Sequence, residues 1–326
     1  MEKRLFGKTG KYVTEIGLGT WQLGTVWGKP FNREEAMRIL AAADEAGINF
    51  IDTADVYNGG ESEKAIGDYM AEHPDRFYVT TKCGRQLKPH TAEMYTPEAV
   101  AGFIQESLKR LKRERLDMIL LHCPPTPVFA RDDIFAELDR QKKAGNIADY
   151  GVSIEKTSEG LQALDYDISA MEVIFNMFRL KPLDELFPAA AAKNVGIIAR
   201  VPLASGILTG KFTKETTFGE KDHRSFNREG ASFDKGETFS GVPYDLGIDC
   251  AEELKKIFGT DKLAPIAIRW ILMHPEVSVV IPGASRAEQL QNNICAAELA
   301  PLSKAQMEAV QILYDTRLRQ IIHSQW

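Results

Sequence analysis

The sequence predicts an α/β fold, a closed (β/α)8 TIM barrel formed by one domain over residues 1–326, with a long loop after strand seven and a C-terminal tail. Short apolar, β-branched segments alternate with amphipathic segments, which is typical of parallel strands covered by helices. Eight such units occur in 326 residues, and no glycine-rich fingerprint is repeated. An open doubly wound sheet would also explain the alternation, but the number of units favours the barrel.

The eight predicted strands are short and carry few charges. They span residues 15–20, 49–54, 77–82, 116–122, 149–153, 170–176, 196–202 and 277–282. Amphipathic helices are predicted over residues 33–46, 62–72, 97–111, 134–144, 157–164, 183–193 and 264–273. Gly59 and Gly60 break the pattern after the second strand, and Ser62 can begin the helix that follows.

Composition argues against several classes of protein. Hydrophobic residues make up 44% of the chain and charged residues 26%, so a sizeable core is expected. The formal net charge of −6 argues against a nucleic-acid or membrane-surface protein. No run of 18 apolar residues and no evident signal peptide occur. The four cysteines lie far apart, as in reduced cytoplasmic proteins, and no His/Cys spacing predicts a metal site. The oligomeric state is left open, a homo-oligomer included.

Four polar residues follow successive predicted strands. Asp52 and Tyr57 lie at and after the end of strand two, Lys82 ends strand three, and His122 ends strand four. Because the carboxyl ends of barrel strands meet on one face, these side chains can come together. A lysine in the barrel wall needs an acidic partner, for which Asp52 is the candidate. A plainer interpretation is that Asp52 caps its loop and Tyr57 packs over it.

These residues stand in motifs that resemble the aldo-keto reductase family. The matching segments are 17–21 (GLGTW), 49–63, 81–82 (TK), 120–122 (LLH), 150–153 (YGVS), 202–211 (PLASGILTGK) and 281–286 (IPGASR), in the family's order. The resemblance implies a (β/α)8 barrel that binds NADPH and reduces aldehydes or ketones. It also implies a catalytic tetrad of Asp52, Tyr57, Lys82 and His122, in which Tyr57 is the proton donor.

The chemistry of carbonyl reduction requires such residue types. Hydride addition creates an alkoxide, which must be protonated and stabilised as it forms. A free phenol has a pKa near 10 and is a weak acid at neutral pH. We expect the Lys82 ammonium to lower the pKa of Tyr57, and Asp52 to keep the lysine charged. His122 would polarise the substrate oxygen.

The resemblance also implies where the cofactor binds. Small residues after strand seven allow a pyrophosphate to approach the backbone, and the helix start after strand eight suits a 2′-phosphate, which favours NADP over NAD. The predicted cofactor contacts are Gly19, Thr20, Trp21, Asp52, Ser153, Glu172, Phe175, Pro202, Leu203, Ser205, Gly206, Leu208, Lys211, Gly283, Ser285, Arg286, Gln289, Asn292 and Asn293.

Three positions depart from the family's pattern. Ile154 stands where asparagine is common, and Glu172 stands where glutamine is usual. A glutamate accepts a hydrogen bond from the nicotinamide carboxamide NH2 but cannot donate one to its oxygen. We therefore expect nicotinamide binding to be weakened or rearranged. Phe175 is the predicted stacking aromatic, in place of the more common tyrosine.

The long segment between Pro202 and Leu246 is predicted to lie across the barrel mouth, with a mobile surface insertion as the alternative. Strand alternation predicts that Cys83 and Cys123 point under the helices as inert thiols. The tail, residues 317–326, is expected either to line a pocket or to pack against a helix.

Substrate contacts are predicted from Trp21, Trp27, Tyr57 and His122, but the sequence does not identify the substrate. The function predicted first is NADPH-dependent reduction of a carbonyl group. Two alternatives are left open. One is an NADP-binding redox sensor or accessory subunit, and the other is a sugar or polyol dehydrogenase that works in the oxidative direction.

Overall fold

Eight parallel strands form the central sheet, in sequential order around the molecule. In the computed structural model, which describes residues 1–25 and 29–326, an antiparallel hairpin, β1 (Lys3–Leu5) and β2 (Tyr12–Thr14), precedes this sheet. The sheet strands are β3 (Leu18–Gly19), β4 (Phe50–Asp52), β5 (Tyr78–Cys83), β6 (Leu116–His122), β7 (Ile147–Ser153), β8 (Ala170–Ile174), β9 (Gly196–Arg200) and β10 (Val277–Val280). The substrate candidate Trp27 lies outside the described residues.

The sheet closes between its first and last strands. Parallel bridges join Ile16 to Val280 and Gly19 to Gly283. The Gly17 amide donates to the Val280 carbonyl at 2.8 Å, and the Val280 amide donates to the Glu15 carbonyl at 2.9 Å. The predicted (β/α)8 barrel is therefore confirmed.

Helices cover the outside of the barrel, and one short helix lies in the long segment after β9. They are α1 (Arg33–Glu45), α2 (Glu61–Glu72), α3 (Pro97–Leu111), α4 (Asp132–Lys143), α5 (Thr157–Ala163), α6 (Leu186–Ala192), α7 (His223–Phe226), α8 (Tyr244–Phe258), α9 (Leu263–Leu272), α10 (Ala287–Ile294), α11 (Lys304–Leu313) and α12 (Arg319–Ile322). Thr96 accepts a hydrogen bond from the Ala99 amide and Pro97 occupies the first turn, which explains the sharp start of α3. No helix in the described part of the chain is long and apolar enough to span a membrane.

The hairpin β1–β2 closes the amino-terminal end of the barrel, which the sequence did not predict. Phe6, between the two strands, packs edge-on against Phe50 inside the barrel, with ring centroids 5.3 Å apart. Arg4 donates to the carbonyl oxygens of Val277 and Leu272 at 2.8 and 2.6 Å, so it ties the hairpin to the last barrel unit. Access to the barrel interior is thus blocked on this side.

Backbone crowding requires glycine at one position in the barrel wall. A Cβ atom added to Gly151 in β7 would lie 2.0 Å from the Ala170 carbonyl oxygen of the neighbouring strand. Any side chain at this position would force the two strands apart.

The long segment after β9 is folded, and it ends earlier than predicted. It contains a 3-10 turn (Ala204–Thr209) and α7, and α8 already begins at Tyr244. Phe218 makes edge contacts with Phe212 and Tyr244, with ring centroids 5.2 and 5.9 Å apart, and the Arg224 guanidinium lies 4.4 Å from the centre of the Phe218 ring. These contacts give the segment its own small core. We call residues 203–243 the mouth loop.

The tail packs on the mouth loop. The Trp326 indole Nε1 donates to Asp234 Oδ1 at 2.8 Å, and the Arg179 guanidinium lies 3.9 Å from the centre of the Trp326 ring. Trp326 is not among the residues that line the large cavity described below. Of the two expectations for the tail, packing is therefore the one observed, although against a loop instead of a helix.

Candidate active site

A cavity of about 770 Å³ opens at the carboxyl-terminal end of the barrel. The strand ends contribute Asp52, Tyr57, His122, Glu172 and Arg200 to its wall. The mouth loop contributes residues such as Ser205, Lys211, His223 and Glu237, which agrees with the expectation that the segment lies across the mouth. The same cavity therefore contacts both the strand ends and the loop.

Lys82 is the centre of the polar group at the bottom of the cavity. It is fully buried, and its Nζ donates to Asp52 Oδ1 at 2.5 Å, to the Thr53 carbonyl oxygen at 3.1 Å and to the Tyr57 hydroxyl at 3.3 Å. Glu172 Oε2 lies 3.3 Å from the same ammonium. The Tyr57 and His122 rings meet edge to face, with centroids 5.9 Å apart. The four predicted residues thus come together, and Glu172 joins them as a second carboxylate.

Burial and the neighbouring charges set the protonation states of this group. Burial disfavours the Lys82 ammonium, but Asp52 and Glu172 together raise the pKa of Lys82 above its ordinary value. Burial and the Glu172 charge raise the pKa of Asp52 well above its ordinary value, against the opposing effect of Lys82. The lysine therefore stays charged between two acidic side chains, and burial together with Glu172 favours the protonated form of Asp52.

The expected lowering of the Tyr57 pKa is not observed. Burial raises the pKa of Tyr57, and Lys82 offsets this only in part. The phenol consequently holds its proton at neutral pH. Burial and the nearby Arg85 hold the pKa of His122 well below its ordinary value, so its imidazole is neutral. Among the described residues, His122 Nδ1 has no hydrogen-bond partner.

Most of the predicted cofactor contacts line the cavity. Those that do are Gly19, Thr20, Trp21, Asp52, Glu172, Pro202, Leu203, Ser205, Gly206, Lys211, Gly283, Ser285, Gln289, Asn292 and Asn293. Ser205 also links the start of the mouth loop to its end: its hydroxyl accepts a hydrogen bond from the Phe239 amide at 3.0 Å and donates one to the Glu237 carbonyl at 3.1 Å.

Four predicted contacts lie elsewhere. Phe175 points away from the cavity into the helix layer, where its ring meets Phe187 and Trp270 at 4.8 and 5.0 Å, so it cannot stack on a nicotinamide held in the cavity. The reason is strand alternation, which turns Phe175 to the face opposite Glu172. Leu208 is buried in the core, Ser153 is buried beside Cys123, and Arg286 is exposed just before α10.

Several residues that line the cavity were missed in the sequence. They are Gln22, Arg85, Arg200, Lys221, Asp222, His223, Arg224, Phe233 and Glu237, among others. Arg200 ends β9, so the rule that selected Lys82 and His122 would have identified it. The residues of the mouth loop carry no comparable signal, because their positions depend on how the loop folds.

The two cysteines next to the candidate site behave differently. Cys83 is buried in the helix-side core, as expected. Cys123 was expected there too, but its Sγ lies 3.4 Å from Ser153 Oγ and 3.6 Å from an Arg200 nitrogen. The chain leaves the strand geometry after His122 and takes a left-handed φ of 45° at Cys123, so alternation no longer predicts its direction.

A network of paired charges joins the mouth loop to the barrel. Arg200 contacts Glu237 of the loop at 2.5 Å and Glu155 at 3.2 Å, and Arg85 contacts the same two carboxylates at 3.7 and 3.0 Å. The Cys123 thiol lies within 4.8 Å of both carboxylates, a grouping that could ligate a metal. Two guanidiniums already neutralise these acids and would repel a cation, so we assign the cluster to ion pairing.

Comparison with known proteins supports this picture of the fold. The sequence model described as the aldo/keto reductase family matches residues 15–315. The holo form of the aldo-keto reductase AKR11C1 from Bacillus halodurans superposes with a TM-score of 0.79 at 24% identity, covering 99% of both chains. The glycerol dehydrogenase AKR11B4 from Gluconobacter oxydans gives a TM-score of 0.77 at 25% identity, covering 97% of this chain and 96% of that one. An NADH-specific methylglyoxal reductase from Escherichia coli is 26% identical over 324 residues, 92% of this chain and 94% of its own.

Proposed function

Because the chain belongs to the aldo/keto reductase family, whose members are oxidoreductases acting on carbonyl or alcohol groups, we propose that it reduces an aldehyde or ketone to an alcohol with NADPH, with Tyr57 as the proton donor. The observation that carries the proposal is the Tyr57 hydroxyl, 3.3 Å from the Lys82 ammonium at the wall of the large cavity. If Tyr57 only packed over its loop, its hydroxyl would not need a buried lysine beside it.

The residues of the cavity fit a nicotinamide dinucleotide. Gly283 is open enough that a Cβ there would come no closer than 3.6 Å to the Gln22 side chain and 3.9 Å to the Gly19 carbonyl oxygen, so a ligand can approach the backbone closely. Lys211, Ser285 and Gln289 line the same cavity and offer a charge and hydrogen bonds to phosphate oxygens. The bound cofactor would supply the hydride.

The protein's own groups would manage the proton and the developing charge. Tyr57 holds its proton at neutral pH and would deliver it to the substrate oxygen. Lys82 would stabilise the phenolate that remains, and Asp52 would keep the ammonium in place. The neutral His122 would donate a hydrogen bond to the substrate oxygen and fix its position.

Substitution of Tyr57 by phenylalanine tests the assignment. We expect Tyr57→Phe to lower kcat about 10²- to 10⁴-fold, the usual contribution of general acid catalysis, and to leave the Kd for NADPH within about twofold. The matched control is Tyr166→Phe, which removes a hydroxyl bonded to Asp132 at 2.9 Å on the outside of the barrel and should leave kcat unchanged. Full activity of Tyr57→Phe against a panel of aldehydes would refute the role.

NADPH is preferred over NADH in this proposal. Lys211 and Lys221 bring positive charge to the cavity, and a 2′-phosphate would bind such groups. The E. coli relative named as NADH-specific shows that the opposite preference occurs at this level of identity. Measuring kcat/KM with both cofactors decides the question, and equal values would remove the preference.

Oxidation of a polyol is the second candidate function. A structural neighbour of this chain is a glycerol dehydrogenase, and the same four residues would serve the reverse reaction, with Tyr57 accepting the proton. Assays of NADP⁺ reduction with glycerol and sugar alcohols would reveal it. Tight NADPH binding without turnover in either direction would instead favour a redox sensor or accessory subunit.

A further inference from the structure

The Trp326 side chain contacts the mouth loop and the barrel at the same time. Its indole Nε1 donates to Asp234 Oδ1 of the loop at 2.8 Å. Its ring also lies 3.9 Å from the guanidinium of Arg179, which follows β8, and both residues are buried. A guanidinium is attracted to the face of a tryptophan ring, most strongly where water is excluded. We call these two contacts the tail latch.

Two glycines of the mouth loop make room for the indole. A Cβ atom added to Gly236 would lie 3.0 Å from the Trp326 ring, and one added to Gly241 would lie 2.1 Å from it. A side chain at either position would therefore push the indole away from the loop. Asp234 also accepts a hydrogen bond from the Gly236 amide at 2.7 Å, so one carboxylate holds both the loop backbone and the indole.

The tail latch is connected to the wall of the cavity at two places. Arg179 donates to the Glu155 carbonyl oxygen at 2.9 Å, and the Glu155 carboxylate lies 3.2 Å from Arg200. Glu237, which follows the first of the two glycines, lines the cavity and pairs with Arg200 at 2.5 Å. Trp326 is not among the described residues that line the cavity. Its influence on a bound ligand must therefore pass through the mouth loop.

We propose that Trp326 is a positioning residue that holds the mouth loop closed over the cavity and thereby slows the exchange of the nicotinamide cofactor. This inference rests on the proposed function. A ligand that is bound under a loop leaves only when the loop opens, and such opening limits turnover in many enzymes. Because the tail latch fixes residues 234–241 to the barrel, opening of this part of the loop must break its contacts.

Rapid-mixing measurements of NADPH dissociation test the role of Trp326. Trp326→Ala should raise the dissociation rate constant at least about tenfold, because the hydrogen bond to Asp234 and the contact with Arg179 are both lost. Trp326→Phe keeps a ring beside Arg179 and should give an intermediate rate. Mixing the preformed NADPH complex with an aldehyde measures hydride transfer in a single turnover. This rate should stay within about threefold of the wild type, since the tail latch does not contact the proposed catalytic residues.

Gly236→Ala perturbs the same contact from the side of the mouth loop. The added Cβ meets the indole, so this variant should also release NADPH faster than the wild type. Combined with Trp326→Ala, it should add little to the rate of Trp326→Ala alone, because substitutions that act through one contact are not additive. Ile321→Ala is the matched control: this residue lies in the same tail, is 43% exposed and should leave the dissociation rate unchanged.

The results separate the role of Trp326 from the proposed function. If NADPH does not bind the wild type, both fall. If NADPH binds but no aldehyde is reduced, the proposed function falls, whereas faster release from Trp326→Ala still supports the tail latch. If aldehydes are reduced but Trp326→Phe and Gly236→Ala release NADPH at the wild-type rate, the role of Trp326 is wrong. It is also wrong if the two substitutions are additive, or if single-turnover hydride transfer slows as much as release accelerates.

Discussion

Replacing Lys82 by methionine should destabilise the protein strongly, in a way that depends on pH. The ammonium is fully buried and has two carboxylate partners, Asp52 at 2.5 Å and Glu172 at 3.3 Å. At an effective dielectric constant of about 20, these contacts correspond to about 7 and 5 kcal/mol of gross attraction when both acids are ionised, and the repulsion between Asp52 and Glu172 offsets part of it. Desolvation of the ammonium offsets several kcal/mol of this. We therefore expect Lys82→Met to lower the free energy of unfolding by about 3–5 kcal/mol at pH 8.

The dependence on pH follows from the two carboxylates that remain. Burial and Glu172 already raise the pKa of Asp52, and Lys82 opposes that shift. Without the lysine, the folded variant binds a proton that the unfolded chain, with an ordinary Asp pKa of about 3.9, has released. Stability of the variant then falls as the pH rises above about 4. The loss relative to wild type should be at least about 1 kcal/mol smaller at pH 5 than at pH 8.

Urea unfolding at pH 5 and pH 8 measures both effects. Adding Glu172→Gln to Lys82→Met should restore part of the stability, since only one buried carboxylate then lacks its partner. Lys64→Met is the matched control: this lysine is half exposed and pairs with Glu61 one turn away, so we expect a change within about 0.5 kcal/mol. A loss below about 1 kcal/mol at pH 8, or no dependence on pH, would show that Lys82 is not the ionic centre of the site.

Three further predictions follow from packing and burial. Gly151→Ala should lower the free energy of unfolding by at least about 3 kcal/mol or prevent folding, because the added Cβ meets a carbonyl oxygen at 2.0 Å. The control is Gly102→Ala in α3, where a Cβ would meet nothing within 4 Å and should stabilise the protein by up to about 1 kcal/mol. Chemical unfolding compares the two variants. Burial lowers the pKa of His274 to about 4, below its unfolded value of about 6.5, so the contribution of the neutral imidazole to stability is lost as the pH falls from about 6.5 to 4. His274→Phe should remove about 2 kcal/mol of the decrease in the free energy of unfolding that the wild type shows between pH 7 and pH 5. An equal decrease in both proteins would contradict this. Trp326→Ala removes the bond to Asp234 and should speed limited proteolysis within the mouth loop, whereas unchanged cleavage would mean that the tail does not hold the loop.

The barrel was predictable because its signal is repeated eight times along the chain. Each buried strand is followed by polar residues, so its carboxyl end could be located from the sequence. The hairpin β1–β2 was missed because strands of three residues such as Lys3–Leu5 give no periodic signal. Helix α8 was missed although Ile248, Ala251 and Leu254 are buried with helical spacing. The interpretation of the whole segment as one loop concealed that pattern.

The residue types of the candidate site could be predicted from the sequence, but the directions in which some of the side chains point could not. Asp52, Tyr57, Lys82 and His122 were located from strand ends. Phe175 was misplaced, although its odd separation from Glu172 already implies the opposite face of the strand. The balance between burial and Lys82 in setting the pKa of Tyr57 depends on solvent exclusion, which spacing in the sequence does not reveal.

The hairpin β1–β2, which closes the amino-terminal end of the barrel, has a consequence for biosynthesis. The hairpin is synthesised before the barrel strands, yet Arg4 bonds to the carbonyl of Val277, 273 positions later. The hairpin therefore cannot dock fully until β10 has been synthesised. Contacts so distant in sequence slow folding and leave intermediates exposed to aggregation. We therefore expect chaperones to bind an intermediate in which the hairpin has not docked and the apolar interior of the barrel is still exposed to water.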